Sequence, residues 1–230
     1  MSTQSPRVIE DFPLATLDEA ALIEQLSRNI GAPSGDRIKA TQDKKFILPD
    51  GTKVDTLEAV VVSFGTHNTF YAGPYNRNKP EAPACFAVGL DPRNMIPSDN
   101  APDRQADTCG SCPNNQWGSG AGGKGKACKN ARVIALMPVN ATQDSPIWLL
   151  HTSPTAIKHF DEYVRNLMQR KIPPLRVVTQ VYFDPASTFA SVRFRALEPV
   201  EPDLVGLYAS RIEAAQERLL TEPDVTAFAG

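Results

Sequence analysis

The fold is decided by the stretch PIWLLHTSPTAIKHFDEYVRNLMQRKIPPLRVVTQVYFD, residues 146–184. Its middle predicts a helix, with Ser153 in the N-cap position and Pro154 in the first turn. The segment KIPP ends this helix at about Arg170, because proline cannot continue the backbone hydrogen bonds of a helix. PIWLLHT is a short apolar run and LRVVTQVYFD alternates apolar with polar residues, so both predict strands. The stretch therefore predicts a strand, a helix and another strand.

The segments on either side extend this pattern into a mainly β chain with flanking helices. Upstream, KKFILPDGTKVDTLEAVVVSFGTHNTFYAG predicts two strands joined at PDG, and ACFAVGL and ARVIALMPV predict two more. Downstream, ASVRFRAL predicts a final strand. Several strands, one helix and two further strands match the oligonucleotide-binding fold, a five-stranded barrel with a helix between its third and fourth strands. A zinc-ribbon domain fused to an α+β sandwich would give a similar order.

Charge divides the 230-residue chain into three predicted parts. Residues 1–36 form an acidic N-terminal extension with a helix at 16–31, and residues 201–230 form a C-terminal helix at 202–220 followed by a short acidic tail. Each end has a net charge of −4, which leaves +6 on residues 37–200, the predicted oligonucleotide-binding-fold domain. A basic body between acidic ends is expected where the body meets a polyanion. Chance variation among solvated charges explains a difference of this size equally well.

The sequence gives no sign of a membrane segment or a secretory signal. No window approaches 18 consecutive apolar residues. The N-terminal stretch MSTQSPRVIEDF has no basic region followed by an apolar run. We therefore expect a cytoplasmic protein whose four cysteines are thiolates rather than disulfides.

The four cysteines have the spacing of a zinc site. Cys109 and Cys112 form a C-x-x-C pair, Cys128 follows sixteen residues later, and Cys85 precedes the pair by twenty-four residues. Four thiolates form a closed, structural site for one Zn²⁺, with no open position for water. The alternative fourth ligand is His67, in which case Cys85 is a small apolar residue of its strand. A redox C-x-x-C pair is expected at a strand-to-helix junction, whereas this pair opens a glycine-rich loop.

That loop also matches the beginning of a phosphate-binding pattern. Gly118, Gly123 and Lys124 have the spacing of G-x-x-x-x-G-K-[ST]. The pattern requires Ser or Thr after the lysine, a strand before the loop and a helix after it. Gly125 follows the lysine, and Trp117 rather than a strand precedes the glycines. We therefore reject the nucleotide-binding interpretation.

Residues 104–132, the predicted zinc loop, contain five cations against one acid, Asp107. Binding of a single strand requires cations that follow the phosphate backbone and aromatic rings on which bases stack. Trp117 is the strongest stacking candidate, because its neighbours are too small and polar to bury it. Phe194 is predicted to be a core residue, since alternation places it on the strand face opposite its two arginine neighbours. The candidate DNA contacts are Trp117, Lys124, Lys126, Lys129, Arg132, Tyr71, Tyr75, Arg193 and Arg195.

Three motifs give the chain a resemblance to a known family. PACFAVG, CGSCPNNQWGSG and GKGKACKNARVIALMP resemble the zinc-containing single-stranded DNA-binding proteins of bacteriophages, over roughly residues 50–200. The resemblance implies strand protection or melting in replication and recombination, without catalysis, in the host cytoplasm. It implies that the zinc ligands are Cys85, Cys109, Cys112 and Cys128, and that the phosphate contacts include Lys124, Lys126, Lys129 and Arg132.

The C-terminal tail departs from that family. Many such proteins end in a dense acidic run with a terminal aromatic residue, whereas LLTEPDVTAFAG offers only Glu222, Asp224 and Phe228. Replication or recombination proteins that bind through this tail are therefore a weaker expectation than single-stranded DNA.

Two functions from different classes follow. The first is binding of single-stranded DNA with little sequence preference. The alternative is a zinc-knuckle protein-interaction or regulatory module without nucleic-acid binding, although docking knuckles are usually more apolar than this lysine-rich loop. We do not expect an enzyme, because the sequence offers no paired carboxylates, no nucleophile with its base and no open metal site.

Overall fold

The computed structural model describes residues 36–74 and 81–226. The predicted helix at 16–31 and Tyr75 lie outside these residues. The described strands are β1 (Arg37–Ala40), β2 (Phe46–Ile47), β3 (Lys53–Val54), β4 (Thr56–Phe70), β5 (Cys85–Gly89), β6 (Lys129–Pro138), β7 (Trp148–His151), β8 (Val177–Phe183) and β9 (Val192–Pro199). The described helices are α1 (Pro154–Gln169), α2 (Pro202–Ser210) and α3 (Ile212–Leu219).

The sheet is organised around β4, which has 15 residues. One edge of β4 pairs with β6 almost from end to end, with a register shift between Val61 and Ser63. The other edge pairs with β8 at the beginning of β4 and with β5 at its end. The register shift between Val61 and Ser63 is a bulge-like irregularity, which increases the local twist and bends β4. The sheet therefore curls into a half-barrel. The predicted mainly β fold with flanking helices is confirmed, and a barrel-like fold is compatible with this sheet.

The strand order is β3-β2-β1-β7-β6-β4-β8-β9, with β5 paired to β4. The helix α1 lies between β7 and β8 in the chain, so β4, β6, β7, α1, β8 and β9 follow the predicted order of strands and helix. Over the described residues the sheet has nine strands rather than the five expected. β5 adds to β4, and β1 pairs in parallel with the outer edge of β7 and brings β2 and β3 with it. Within the described residues, no pairing joins β7 to β9.

Both faces of the sheet are buried. Leu57, Ala59 and Val61 of β4 face one core, which α1 covers, while Val60 and Val62 face a second core, which α2 and α3 cover. Successive residues of a strand point to opposite faces, so the near-continuous apolar run of β4 supplies both cores. Phe194 packs against the α1 core, with its ring centroid 5.1 Å from that of Phe160, as predicted.

The predicted helix of the deciding stretch is confirmed as α1. Its buried residues Ala156, Phe160, Tyr163 and Leu167 recur at helical spacing and form its apolar face. Ser153 occupies the N-cap position, but its hydroxyl lies 2.9 Å from that of Thr155 and makes no capping hydrogen bond. A buried hydrogen bond of 2.6 Å between the hydroxyls of Tyr163 and Thr179 attaches α1 to β8.

The predicted C-terminal helix is divided in two. The backbone leaves the helical geometry at Arg211, between α2 and α3. The break lets both helices lie against the sheet, where Tyr208 donates a hydrogen bond of 2.8 Å to the carbonyl oxygen of Pro138. Over the described residues, the helices are all too short or too polar to cross a membrane.

Two histidines meet on the sheet face that α3 covers. The rings of His67 and His151 lie edge to face, with centroids 5.4 Å apart. His67 Nε2 donates a hydrogen bond of 2.7 Å to the carbonyl oxygen of Leu219 at the end of α3. Burial lowers the pKa of His67, against the effect of this hydrogen bond. Burial, followed by the charges of Arg37 and His67, lowers the pKa of His151 to about 3.

We expect acid to destabilise the protein through His151. Because its folded pKa lies below the ordinary value of 6.5, the unfolded state binds the proton first, and stability is lost as the pH falls from 6.5 towards 3. Between pH 7 and pH 5 this loss amounts to about 2 kcal/mol of unfolding free energy. Urea unfolding at both pH values measures this loss of unfolding free energy. The His151→Gln variant should lose about 2 kcal/mol less than the wild type between the two pH values. Equal losses in the two proteins would contradict the assignment.

Candidate functional site

The four cysteines meet in one place. Each is buried, none is in a disulfide, and all four line the same small cavity. Cys85 begins β5, where it pairs with Phe70 at the end of β4, and Cys128 stands directly before β6. The pairing of β4 with both strands therefore brings together two cysteines that are 43 residues apart in the sequence.

The other two cysteines reach this cavity through hydrogen bonds of the intervening loop. The Cys109 amide donates to the carbonyl oxygen of Met95 over 3.0 Å. The Asn115 side chain donates to the carbonyl oxygen of Cys109 over 2.8 Å, and the Cys128 amide donates to the carbonyl oxygen of Asn114 over 2.8 Å. These contacts fold the loop back on the strand ends, so the grouping depends on tertiary structure rather than on local spacing.

His67 is not part of the cluster. Its ring faces α3 and hydrogen-bonds to Leu219, whereas the neighbouring Asn68 lines the thiol cavity and bonds to Cys109 through its side chain. Of the two candidates for the fourth position, Cys85 is therefore the one that shares a cavity with the other three cysteines.

Burial favours the protonated form of two of the four thiols, those of Cys109 and Cys128. Burial, together with the charges of Cys109, Cys112 and Cys85, raises the pKa of Cys128 to about 12. Burial also raises the pKa of Cys109, against its hydrogen bond with Asn68. Such thiols are poor nucleophiles, which disfavours the redox alternative.

The cluster does not have the geometry of a formed metal centre. In residues 36–74 and 81–226, no group of three or more His, Cys, Asp or Glu side chains could hold a metal ion as it stands. The four thiols nevertheless share one cavity. Zinc binding therefore stays a prediction, carried by the grouping of the thiols and by their chemistry.

The glycine-rich loop between Cys112 and Cys128 is held by its own hydrogen bonds. The amide of Gly118 donates to the carbonyl oxygen of Gly125 over 2.7 Å, and both residues have φ in the left-handed region that favours glycine. The Ser119 hydroxyl donates to the carbonyl oxygen of Asn114 over 2.9 Å. A phosphate-binding loop leads into a helix at its lysine, whereas here the 3-10 turn Ala121–Gly123 ends before Lys124 and no helix follows it up to β6.

A groove of about 780 Å³ lies between this loop, the ends of β4 and β6, and α1. Five of the predicted contacts line it, and α1 contributes two cations that the sequence analysis missed, Lys158 and Arg165. Their spacing of seven residues on the polar face of α1 was the signal that could have found them. Trp117 is the most exposed large apolar side chain at the rim, at 83%. The predicted contacts in this groove are Trp117, Lys124, Lys126, Lys129 and Arg132.

Arg132 differs from the lysines because its guanidinium is already bound. Its Nε and Nη2 donate to the two carboxylate oxygens of Asp161 over 2.8 and 3.0 Å, and Nη1 donates to the Thr66 hydroxyl. The side chain is only 11% exposed. The ion pair fastens β6 to α1 under the groove, so we assign Arg132 to the floor rather than to the free cations of the rim.

Three other predicted contacts lie elsewhere. Arg193 and Arg195 line a second groove on the other side of α1. Arg193 is bound to Asp184 over 2.8 Å, and the Arg195 guanidinium lies 5.4 Å from the ring centroid of Tyr182. Tyr71 is 47% exposed and lines neither groove.

Comparison with known proteins identifies no relative. No protein-family model matches the chain, and no significant match is found among curated proteins or solved structures.

The bound state of Arg132 predicts a structural effect when it is replaced. Arg132→Met should lower the free energy of unfolding by about 1.5–3 kcal/mol, because it removes charged hydrogen bonds and leaves Asp161 unpaired. Lys124→Met, at an exposed rim position, is the matched control and should change stability by less than about 0.5 kcal/mol. Urea unfolding of both variants measures the difference. Equal free energies of unfolding in the two variants would show that the Arg132 side chain is free to contact a ligand.

Proposed function

We propose that the protein binds single-stranded DNA with little sequence preference, in the groove between the glycine-rich loop and α1. One observation carries the proposal: Trp117 and the loop lysines face the same groove as Lys158 and Arg165 of α1. Cations along a groove with an exposed aromatic ring at its rim are the two elements of a sequence-tolerant single-strand site. The proposed role is binding without catalysis.

The charge of the groove supports a polyanionic ligand. Five rim cations line it, and only two acids do. Asp161 is neutralised by Arg132, and Glu162 lies 3.8 Å from the ammonium group of Lys158. The rim therefore keeps a positive excess that favours phosphate groups at any base sequence. The five rim cations are Lys124, Lys126, Lys129, Lys158 and Arg165.

Zinc has a structural part in this proposal. We propose that Cys85, Cys109, Cys112 and Cys128 bind one Zn²⁺ through their thiolates, as the resemblance to the bacteriophage proteins implies. Ordering a long glycine-rich loop costs conformational entropy, and metal binding offsets that cost. The order of β4, β6, β7, α1, β8 and β9 supports assigning the domain to the oligonucleotide-binding fold.

The tail does not occupy the proposed groove over its described part. Val225 packs against the apolar cluster of Cys85, Phe86 and Ala101, and Glu222 accepts a hydrogen bond of 2.7 Å from Asn100. None of residues 221–226 lines the groove. Recruitment of replication or recombination proteins by the tail stays a prediction, and protein docking by the loop remains the alternative function.

The test is a series of affinity measurements at several salt concentrations on single-stranded DNA, duplex DNA and RNA. Each phosphate neutralised on a single strand contributes about −0.7 to the slope of log affinity against log salt. Lys124→Ala/Lys126→Ala/Lys129→Ala should therefore flatten the slope by about 2 units, to a similar degree for every base sequence. Trp117→Ala should cost about 1–3 kcal/mol of binding free energy and leave the slope nearly unchanged, because it removes stacking and no charge.

Lys39→Ala is the control for a single lysine. Lys39 is exposed on β1, and its neighbour Ile38 faces the α1 core, so Lys39 lies on the opposite face of the sheet. The Lys39→Ala variant should bind single-stranded DNA as the wild type does, whereas Lys124→Ala alone should flatten the slope of log affinity against log salt. Wild-type affinity and slope in the triple variant would sink the DNA-binding proposal and favour the protein-docking alternative.

The metal proposal has a separate test. Metal analysis of reduced protein should return about one zinc per chain. Cys112→Ser should lower the zinc content and the thermal midpoint while the circular dichroism of the sheet persists. Ser111→Ala, at the exposed neighbouring position, should leave the zinc content unchanged and lower the thermal midpoint far less, because it removes only exposed hydrogen bonds with Thr108. A wild-type protein without zinc would overturn the metal proposal and leave the DNA-binding test standing.

A further inference from the structure

A second groove, of about 450 Å³, lies on the opposite side of α1 from the first. Its walls come from the C-terminal half of α1 and from the ends of β8 and β9. Unlike the two cores of the sheet, it is bordered largely by polar and charged side chains. Those that matter here are His159, Asn166, Arg170, Tyr182, Arg193 and Arg195.

The three arginines of this groove are in different states. Arg193 donates to Asp184 through Nε and Nη2, over 3.2 and 2.8 Å, and contacts His159, so it is part of the wall. Arg170 and Arg195 are exposed, and within the described part of the chain neither is paired with an acid. The Arg195 guanidinium lies against the ring of Tyr182, which leaves its N–H groups at the solvent. Two unneutralised arginines therefore border a polar groove.

The two grooves are separated only by the exposed side of α1. Glu162 borders both. Lys158 and Arg165 face the first groove, while their chain neighbours His159 and Asn166 face the second. A helix with its side chains is about 10–12 Å across, which an extended polymer can cross without a change in the protein.

We propose that the second groove binds the continuation of the same single strand, through its phosphates, after the strand has crossed α1. This inference rests on the function proposed for the first groove and adds a second subsite to it. A guanidinium group matches phosphate geometry by bidentate hydrogen bonding, and Arg170 and Arg195 offer two such groups. The Tyr182 ring is half-buried and the Arg195 guanidinium lies over one of its faces, so this groove offers phosphate contacts rather than base stacking. The second subsite thus holds the backbone and contributes affinity in proportion to strand length.

The experiment compares a short and a long oligothymidylate, of about 5 and about 16 nucleotides, which span the range of strand lengths bound by domains of this kind. Arg170→Ala/Arg195→Ala should flatten the salt dependence for the long strand by about 1.4 units, because two phosphate contacts are lost. On this proposal the short strand occupies the first groove alone, so it should bind this variant and the wild type equally. Lys39→Ala should leave both strands unaffected.

A second variant adds charge and removes no native contact. Asn166→Lys, at an exposed position bordering the second groove, should steepen the salt dependence for the long strand by about 0.7 units and leave the short strand unchanged. An equal effect on both lengths, or no effect on either, in both variants would overturn the second subsite. That result would leave the first groove standing as long as the wild type binds the short strand. A wild type that binds neither strand would overturn the proposed function itself.

Discussion

The structure depends on the requirement that β4 satisfy hydrogen bonds at both edges and packing on both faces over 15 residues. A buried backbone group without a partner is costly, and β4 has three neighbours that supply partners. On one edge it pairs with β6, and on the other β8 pairs with its first five residues and β5 with its last five. The register shift between Val61 and Ser63 bends the strand where it passes from β8 towards β5. The thiol cluster and the groove are both built on the part of β4 that follows this bend.

One face of the sheet changes character along β4 and β6. Phe64 and Ile134 belong to the α1 core, the next pair on that face is Thr66 and Arg132, and the following pair is Asn68 and Asn130. Beyond them stand the thiols. The apolar pair of Phe64 and Ile134 packs against α1, and the polar pair of Thr66 and Arg132 forms the groove floor through the ion pair of Arg132. The strand ends beyond these pairs bring the cysteines together. The alternation of side chains along β4 and β6 therefore sets the distance between the α1 core and the cysteine cluster.

The sequence predicted what local chemistry determines. The boundaries of α1 follow from Ser153, Pro154 and the KIPP segment, and the packing of Phe194 follows from alternation in β9. Pairings between distant segments carry no local signal, so the parallel addition of β1 to β7 was not foreseen. For the same reason Arg132 was predicted as a free contact, although its partner, Asp161, is 29 residues away in the chain. The grouping of the thiols was predictable from the number and spacing of the cysteines, but their arrangement within the cavity was not.

The position of α1 between two grooves has a consequence for how a bound strand would leave. A ligand held at two subsites can release one while the other retains it, and the released segment then rebinds at a high effective concentration. Complete dissociation requires both to open together, whereas a competing protein or a complementary strand can occupy the freed segment first. The lifetime of the complex would then fall as the concentration of competitor rises. On the proposed function, a strand bound in this way would stay protected in isolation and would be released stepwise when a competitor binds it.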